Sequence, residues 1–205
     1  MYNQIAGKRL PRIEALSDGV FSIAMTFLVF NLKDPLAATP ATEEALLGAL
    51  WSIAPNISSF FLSFMTLGIF WTGHSTQFDY LERSDRNLYW LNLFFLMFVA
   101  LLPFTTSILG GHIDNKVAVI LYWLNILALG LALLLHWNYA YRKKLLALDE
   151  NNATLVHKAI RQRIIYAQAF YALGAALCFV HPFLSLVVIF AIQLNYAFGI
   201  FSRKH

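Results

Sequence analysis

Apolar residues are grouped along this chain in long runs that short polar segments separate. The run from Gly19 to Phe30 contains no charged residue, and further runs of similar or greater length follow it. About 20 apolar residues cross the hydrocarbon core of a bilayer as a helix, so each run predicts a transmembrane helix. We place six helices, at residues 12–33, 45–74, 87–109, 116–141, 164–181 and 183–201. The pattern predicts an all-α membrane protein with a single six-helix domain over residues 1–205.

Polar and proline residues set the expected helix boundaries. Thr42, followed by Glu43 and Glu44, is typical of a helix start, because a threonine side chain accepts from a free backbone N–H of the first turn. Pro55 lies inside the second run, where we expect it to kink the helix or to separate a short outer turn from the spanning part. The long polar segment 142–163 is expected to extend the helices on either side of it.

The basic residues predict the orientation of the bundle. Of the 15 lysines and arginines, thirteen fall in segments on the side of the N-terminus, and only Lys33 and Lys116 fall on the other. Cytoplasmic segments of membrane proteins carry the excess of Lys and Arg. Both termini are therefore expected in the cytoplasm.

Composition agrees with this class and excludes several others. Apolar residues make up 59% of the chain and charged residues only 13%, more apolar surface than one small soluble domain could bury. The net charge of +4 follows from the topology and does not indicate nucleic-acid binding. We find no phosphate loop, nucleophile elbow, paired cysteines or metal-ligand spacing. We therefore expect no enzyme activity, no metal site and no cofactor.

The first helix carries the candidate pore positions. Ile23, Phe27 and Phe30 are four and three residues apart and so form one stripe, with the hydroxyls of Ser22 and Thr26 beside it. Several copies of such a stripe around an axis would make a dry constriction, which can gate ions. Apolar packing or lipid contact would explain the same spacing, and the spacing alone favours that interpretation.

Polar residues lie at the start of the same helix. Ionisable groups at membrane depth tend to face a protein interior or a water path. Arg12, Ser17 and Asp18 are therefore expected to meet polar groups of neighbouring helices, unless Arg12 only reaches the interface and Asp18 only caps a helix. The candidate partners are Trp71, His74 and Asn92.

Three segments of this sequence resemble one family. Arg12-x-x-x-Leu16-Ser17-Asp18-Gly19-Val20-Phe21-Ser22-Ile23 is similar to the RxxxFSDGVFAI signature that opens the endosomal/lysosomal potassium channel family, transmembrane protein 175. Residues 67–78, LGIFWTGHSTQF, resemble the end of that family's second helix, and residues 83–110 resemble its third helix.

The resemblance implies a prokaryotic member of the family, in the cell membrane, that assembles as a homotetramer and conducts potassium through a central pore. It implies pore-lining hydrophobic layers at Ile23, Phe27 and Phe30 with Thr26 beside them. It also implies a structural polar network that holds the first helix in register. The network residues are Arg12, Ser17, Asp18, Trp71 and His74.

Two other functions stay open on the sequence. A small proton-coupled or proton-leaking transporter would use His136 or Asp18 as a titrating group. A non-conducting assembly subunit is the second alternative, because Phe27 and Phe30 stand where the family has smaller leucines and four phenylalanine rings would narrow the path.

Overall fold

Helices make up nearly all of the structure, a computed structural model that describes residues 9–32 and 42–198. Seven α-helices are present in these ranges, and we number them in chain order. They are α1 Leu10–Phe27, α2 Glu43–Ser52, α3 Ala54–Phe78, α4 Arg86–Gly111, α5 Lys116–Arg142, α6 Glu150–Ala176 and α7 Pro182–Phe198. Short 3-10 turns continue α1 over Leu28–Asn31 and α6 over Leu177–Phe179. The predicted ends of the first helix at 33 and the last at 201 lie outside the described residues.

The predicted second helix, 45–74, is two helices. α2 ends at Ser52, and after the single residue Ile53 α3 starts at Ala54 and continues to Phe78. Pro55 lies in the first turn of α3, where its missing N–H costs nothing, whereas inside a continuous helix it would remove a backbone hydrogen bond. The expected helix start is confirmed, because the Thr42 hydroxyl accepts from Ala45 N at 3.3 Å.

The fifth helix, predicted at 164–181, begins and ends earlier in the structure. α6 starts at Glu150, because the Asp149 side chain caps it by accepting from Asn152 N. The polar segment 142–163 thus extends this helix, as predicted. The α-helix ends at Ala176, and the 3-10 turn carries the chain to Phe179.

In the described part of the chain, four helices are long and apolar enough to cross a membrane. They are Leu10–Asn31, which includes the 3-10 turn, and α3, α4 and α5. α7, at 17 residues, is about 26 Å long at 1.5 Å per residue, a few ångströms short of the ~30 Å core. The six-helix count therefore stays a prediction.

α4 and α5 form the centre of the bundle. Phe95, Tyr122 and Ile126 on these helices are fully buried, and α1, α3, α6 and α7 pack around them. A second apolar cluster lies at the end where α1 begins, with Ile13, Leu88 and Trp137 at its core. There the two loops before α4 and α6 meet through an antiparallel bridge between Leu81 and Leu146. This packing leaves α1 at the edge of the bundle.

Candidate functional site

α1 buries one face and exposes the opposite one. Phe21 and Leu28 are almost fully buried against the bundle. The three stripe residues point away from it, with exposed fractions of 55% for Ile23, 54% for Phe27 and 76% for Phe30. The stripe that the sequence singled out is therefore not part of the subunit's own core. Its surface is available to lipid or to other copies of the chain.

Hydroxyl groups lie beside this exposed stripe. The Ser22 hydroxyl donates to the carbonyl of Asp18 at 2.7 Å, and the Thr26 hydroxyl donates to the carbonyls of Ser22 and Ile23 at 3.1 and 2.9 Å. Each O–H is thus directed at the helix's own backbone, which leaves the oxygen lone pairs to accept from another group or to contact a cation.

A buried polar chain ties α1 to α3 and α4. Asn92 of α4 donates from Nδ2 to the Ser17 hydroxyl at 3.0 Å, and its Oδ1 lies 2.7 Å from Nε2 of His74. Because an amide oxygen only accepts, His74 carries its proton on Nε2. The Ser17 hydroxyl in turn donates to the Ile13 carbonyl at 2.8 Å. Two of the predicted network residues, Ser17 and His74, are therefore joined through Asn92.

A second contact lies on the exposed side of the same helix turn. The indole Nε1 of Trp71 donates to Oδ1 of Asp18 at 2.8 Å, so these two residues also connect α1 and α3. Arg12 is exposed, and its guanidinium makes no hydrogen bond or ion pair with any residue in the described ranges. The structure of one chain does not bring Arg12 into the network, and its role stays a prediction.

The far end of α1 has an anchor that the sequence analysis missed. Asn31 donates from Nδ2 to the carbonyl of Pro103 in α4 at 3.0 Å, and Asn56 of α3 donates to the carbonyl of Asn31 at 3.3 Å. Because the carboxamide offers both a donor and an acceptor, an asparagine at the end of an apolar helix is also a signal for such an anchor.

His136, the candidate titrating group, is buried in α5. Its Nδ1 lies 3.0 Å from Oε1 of Gln77, and its ring stacks on Phe78 with centroids 5.5 Å apart. No acidic residue contacts it among those the structure describes. Within the same ranges no three His, Cys, Asp or Glu side chains come together as a metal site would need.

Comparison with known proteins places this arrangement in a family. A family model, endosomal/lysosomal potassium channel TMEM175, matches residues 12–103. A potassium channel of Streptomyces collinus is 35% identical over 192 residues, which cover 92% of this chain and 91% of the relative. The chain belongs to the TMEM175 family. The resemblance drawn from the signature at Arg12 is confirmed, and a channel family agrees with the expectation that the chain is not an enzyme.

Other members of the TMEM175 family extend the comparison. A potassium channel of Chamaesiphon minutus is 31% identical over 91% of this chain and 92% of its own length. The crystal structure of a lysosomal potassium-selective channel TMEM175 homologue from the same organism superposes with a TM-score of 0.80 at 28% identity, covering 93% of this chain and 97% of that one. The endosomal/lysosomal proton channel TMEM175 of Gallus gallus is 36% identical over 97 residues, 45% of this chain and 19% of the relative.

Proposed function

We propose that this chain forms a potassium-permeable cation channel whose pore is lined by α1 of several copies. The observation that carries the proposal is the exposed, uncharged stripe of Ile23, Phe27 and Phe30 on a helix whose other face is buried. One helix cannot enclose a path for ions, so copies must surround an axis, and closed rotational symmetry is the usual arrangement. Four copies follow from the resemblance to the family. The relatives named potassium channels, which match over nearly their full length, support the permeant ion.

Each subunit is proposed to cross the membrane six times, as one domain, with both termini in the cytoplasm. α1, α3, α4 and α5 have the required length. α6 contributes its apolar second half, and α7, which is described over 17 residues, contributes the last span. The excess of Lys and Arg on the side of the N-terminus supports the orientation, because such residues are retained in the cytoplasm.

The proposed selectivity arises from dehydration. Rings of Ile23, Phe27 and Phe30 would line a narrow neck without ligands that replace the water around an ion. Potassium gives up its hydration water more readily than sodium, because its charge is spread over a larger radius, so such a neck favours potassium. The Ser22 and Thr26 oxygens would offer partial replacement for the lost water beside the apolar rings.

The buried contacts of α1 would hold this stripe toward the axis. Successive residues of a helix are rotated by about 100°, so a rotation of α1 by that angle or less would turn the stripe away from the axis and bring neighbouring residues to face it. The Asn92 side chain at one end and the Asn31 side chain at the other both oppose that rotation. We infer that the polar network sets the register of the pore rather than contacting the ion.

The substitution Ile23→Asn tests the pore assignment. An amide in the neck would let water and ions through at lower cost, so we expect higher conductance and a lower ratio of potassium to sodium flux in liposomes. Ile23→Leu is the matched control, because it keeps an apolar side chain of equal size, and it should conduct like the parent. Unchanged flux and ion preference in Ile23→Asn would remove α1 from the pore.

Proton leak is the second candidate function. The Phe27 and Phe30 rings contact each other edge to face with centroids 5.8 Å apart, so they form a bulky apolar layer on the exposed face that would hinder hydrated cations more than protons. The vertebrate relatives that match less than half of this chain are named proton channels, which is a second reason to measure proton flux. Proton flux, reported by a pH-sensitive dye in liposomes, without any potassium flux would favour proton leak. No flux of either ion would instead indicate a non-conducting assembly subunit.

A further inference from the structure

The first half of α6 docks on the end of α5 through a histidine. His157 of α6 stacks on Tyr141 of α5 with ring centroids 3.9 Å apart, and it lies next to Trp137, whose ring centroid is 6.3 Å away. The hydroxyls of Tyr141 and Thr154 lie 3.1 Å apart beside this stack. His157 belongs to the polar segment 142–163, so these contacts lie outside the proposed span of α6.

The His157 ring is placed for its neutral form. Its Nδ1 is buried and has no hydrogen-bond partner among the described residues. The neutral ring can carry its single proton on Nε2, whereas the imidazolium must also carry one on Nδ1, where it meets no acceptor. A buried donor without an acceptor costs free energy, and a buried charge without a partner costs more. The ring therefore resists protonation as long as it stays docked.

The positive charges around His157 act in the same direction. Arg161 lies one turn further along α6, and Arg142 lies at the end of α5. Burial and, after it, repulsion by Arg161 and Arg142 lower the pKa of His157 from its ordinary value of 6.5. Lys158 and Arg163 add further positive charge to the same half of α6.

No carboxylate of the neighbouring loops offsets these cations. Among the described residues the acids of the two loops and of the helix ends beside them are Asp79, Glu82, Asp85, Asp149 and Glu150. None of them acts on His157 strongly enough to raise its pKa. The nearest along α6, Glu150, pairs instead with the Lys144 ammonium at 2.7 Å. An imidazolium at His157 would thus add a cation to a group of cations.

Docking of α6 also completes the second apolar cluster. Val156 and Ile160, which lie beside His157 on α6, pack against that cluster, whose core includes Trp137 and Ile13 of α1. Ile13 is 2% exposed, so the first turns of α1 depend on the cluster for their packing. A change at His157 therefore reaches α1 through apolar contacts.

We propose that His157 makes the docking of α6 on α5 sensitive to pH on the side of the N-terminus. Near neutral pH the uncharged ring stays stacked on Tyr141. Acidification protonates the ring, and the imidazolium leaves the stack for water, because Nδ1 has no acceptor there and Arg142 and Arg161 repel it. The first half of α6 then separates from α5, and the second apolar cluster around Ile13 loosens. This device does not depend on which ion the chain conducts.

The direction of the pH effect follows from the lowered pKa of His157. A base whose pKa is lower in the folded state stabilises the fold above its unfolded pKa, and that contribution is lost as the pH falls toward the folded value. The docked state should therefore be fully stable above the ordinary histidine pKa of 6.5 and weaken progressively below it.

Hydrogen–deuterium exchange of the purified protein in detergent tests the proposal. Exchange is compared at about pH 7.5 and about pH 5.5, with times scaled for the chemical exchange rate. We expect exchange of residues 150–163 to rise several-fold at the lower pH, and exchange of residues 10–16 to rise with it. Residues 92–106 in α4 serve as the internal reference and should not change. Equal protection of 150–163 at both pH values would overturn the proposal, and an unchanged 10–16 would overturn the link to α1.

His157→Phe removes the titrating group but keeps a flat ring for the stack. Its exchange at residues 150–163 should be the same at both pH values. His157→Gln, which is smaller and also takes no proton, should give the same result and serves if the phenylalanine variant does not fold. His112→Gln is the matched control, because it removes an exposed histidine at the other end of the bundle, and it should respond like the parent. A response that persists in the His157 variants would place the titrating group elsewhere and overturn the proposal.

Arg142→Gln tests the repulsion. With one of the two cations gone, the docked imidazolium is easier to form, so the rise in exchange at the lower pH should shrink. Arg163→Gln removes the same charge from α6 at a residue that does not act on His157, and it should keep the parent's response. Equal effects of the two substitutions would reduce the response to general surface charge and overturn the assigned role of His157.

Discussion

Replacement of Asn92 by leucine removes the central member of the α1 network. Leucine has nearly the same shape as asparagine but can neither donate nor accept. Asn92 is fully buried, and it makes both the 3.0 Å bond to Ser17 and the 2.7 Å bond to His74. Hydrogen bonds between membrane helices contribute on average about 0.6 kcal/mol and at most about 1.7. Two of them predict a loss of about 1–3 kcal/mol.

A thermal shift of the purified protein in detergent measures this loss. For a chain of about 200 residues, 1 kcal/mol corresponds to roughly 2–4 °C, so Asn92→Leu should lower the melting temperature by several degrees. Ser17→Ala breaks only the weaker bond and should lower it by about half as much or less. Adding Ser17→Ala to Asn92→Leu should then cost little more, because the shared bond is already gone.

Two results would refute this reasoning. If Asn92→Leu melts within a degree of the parent, the hydrogen bonds contribute nothing beyond what the leucine contacts replace. If the costs of the two substitutions add fully, Ser17 and Asn92 are not coupled. Ion flux measured in parallel distinguishes a loss of stability from a rotation of α1. A rotated α1 should change the ion preference even at temperatures where the variant is fully folded.

The remaining predictions concern assembly and packing. The Arg12 side chain has no partner within the described part of its own chain, so we expect it to meet another subunit, and Arg12→Ala should shift the protein to smaller assemblies on size exclusion. A variant that assembles and melts like the parent would show that Arg12 only anchors the helix at the membrane surface. Trp71→Phe, which removes the indole donor to Asp18, should lower the melting temperature by a few degrees at most, and an unchanged value would contradict a stabilising contact. Gly110→Ala should destabilise the protein by about 1–3 kcal/mol through overpacking, because its Cβ would lie 3.2 Å from the α3 backbone. Gly111→Ala meets nothing within 4 Å and should leave the melting temperature unchanged or slightly raised.

Several features could be predicted from local sequence because their causes are local. Apolar run length sets the spans, and Thr42 sets the start of α2 through its side-chain cap. The break between α2 and α3 was one of two expected outcomes for Pro55. The start of α6 at Glu150 was anticipated only loosely, because a polar helix outside the bilayer has no apolar run to mark its first turn.

The pairing of polar side chains was only partly predictable. Asn92 was a candidate partner on residue type, but its double contact with Ser17 and His74 depends on how α1, α3 and α4 are rotated about their axes. The anchor at Asn31 was missed for the same reason. Arg12 was predicted within the network, but among the described residues no side chain forms a hydrogen bond or an ion pair with its guanidinium.

The sequence by itself determined the class of protein, the expected orientation and the stripe on the first helix, because hydropathy and helical periodicity are properties of consecutive residues. The tertiary structure decided which face of that helix is free. Packing of Phe21 and Leu28 against the bundle leaves Ile23, Phe27 and Phe30 outside it, and hydrogen bonds to side chains of α3 and α4 hold α1 in that rotation.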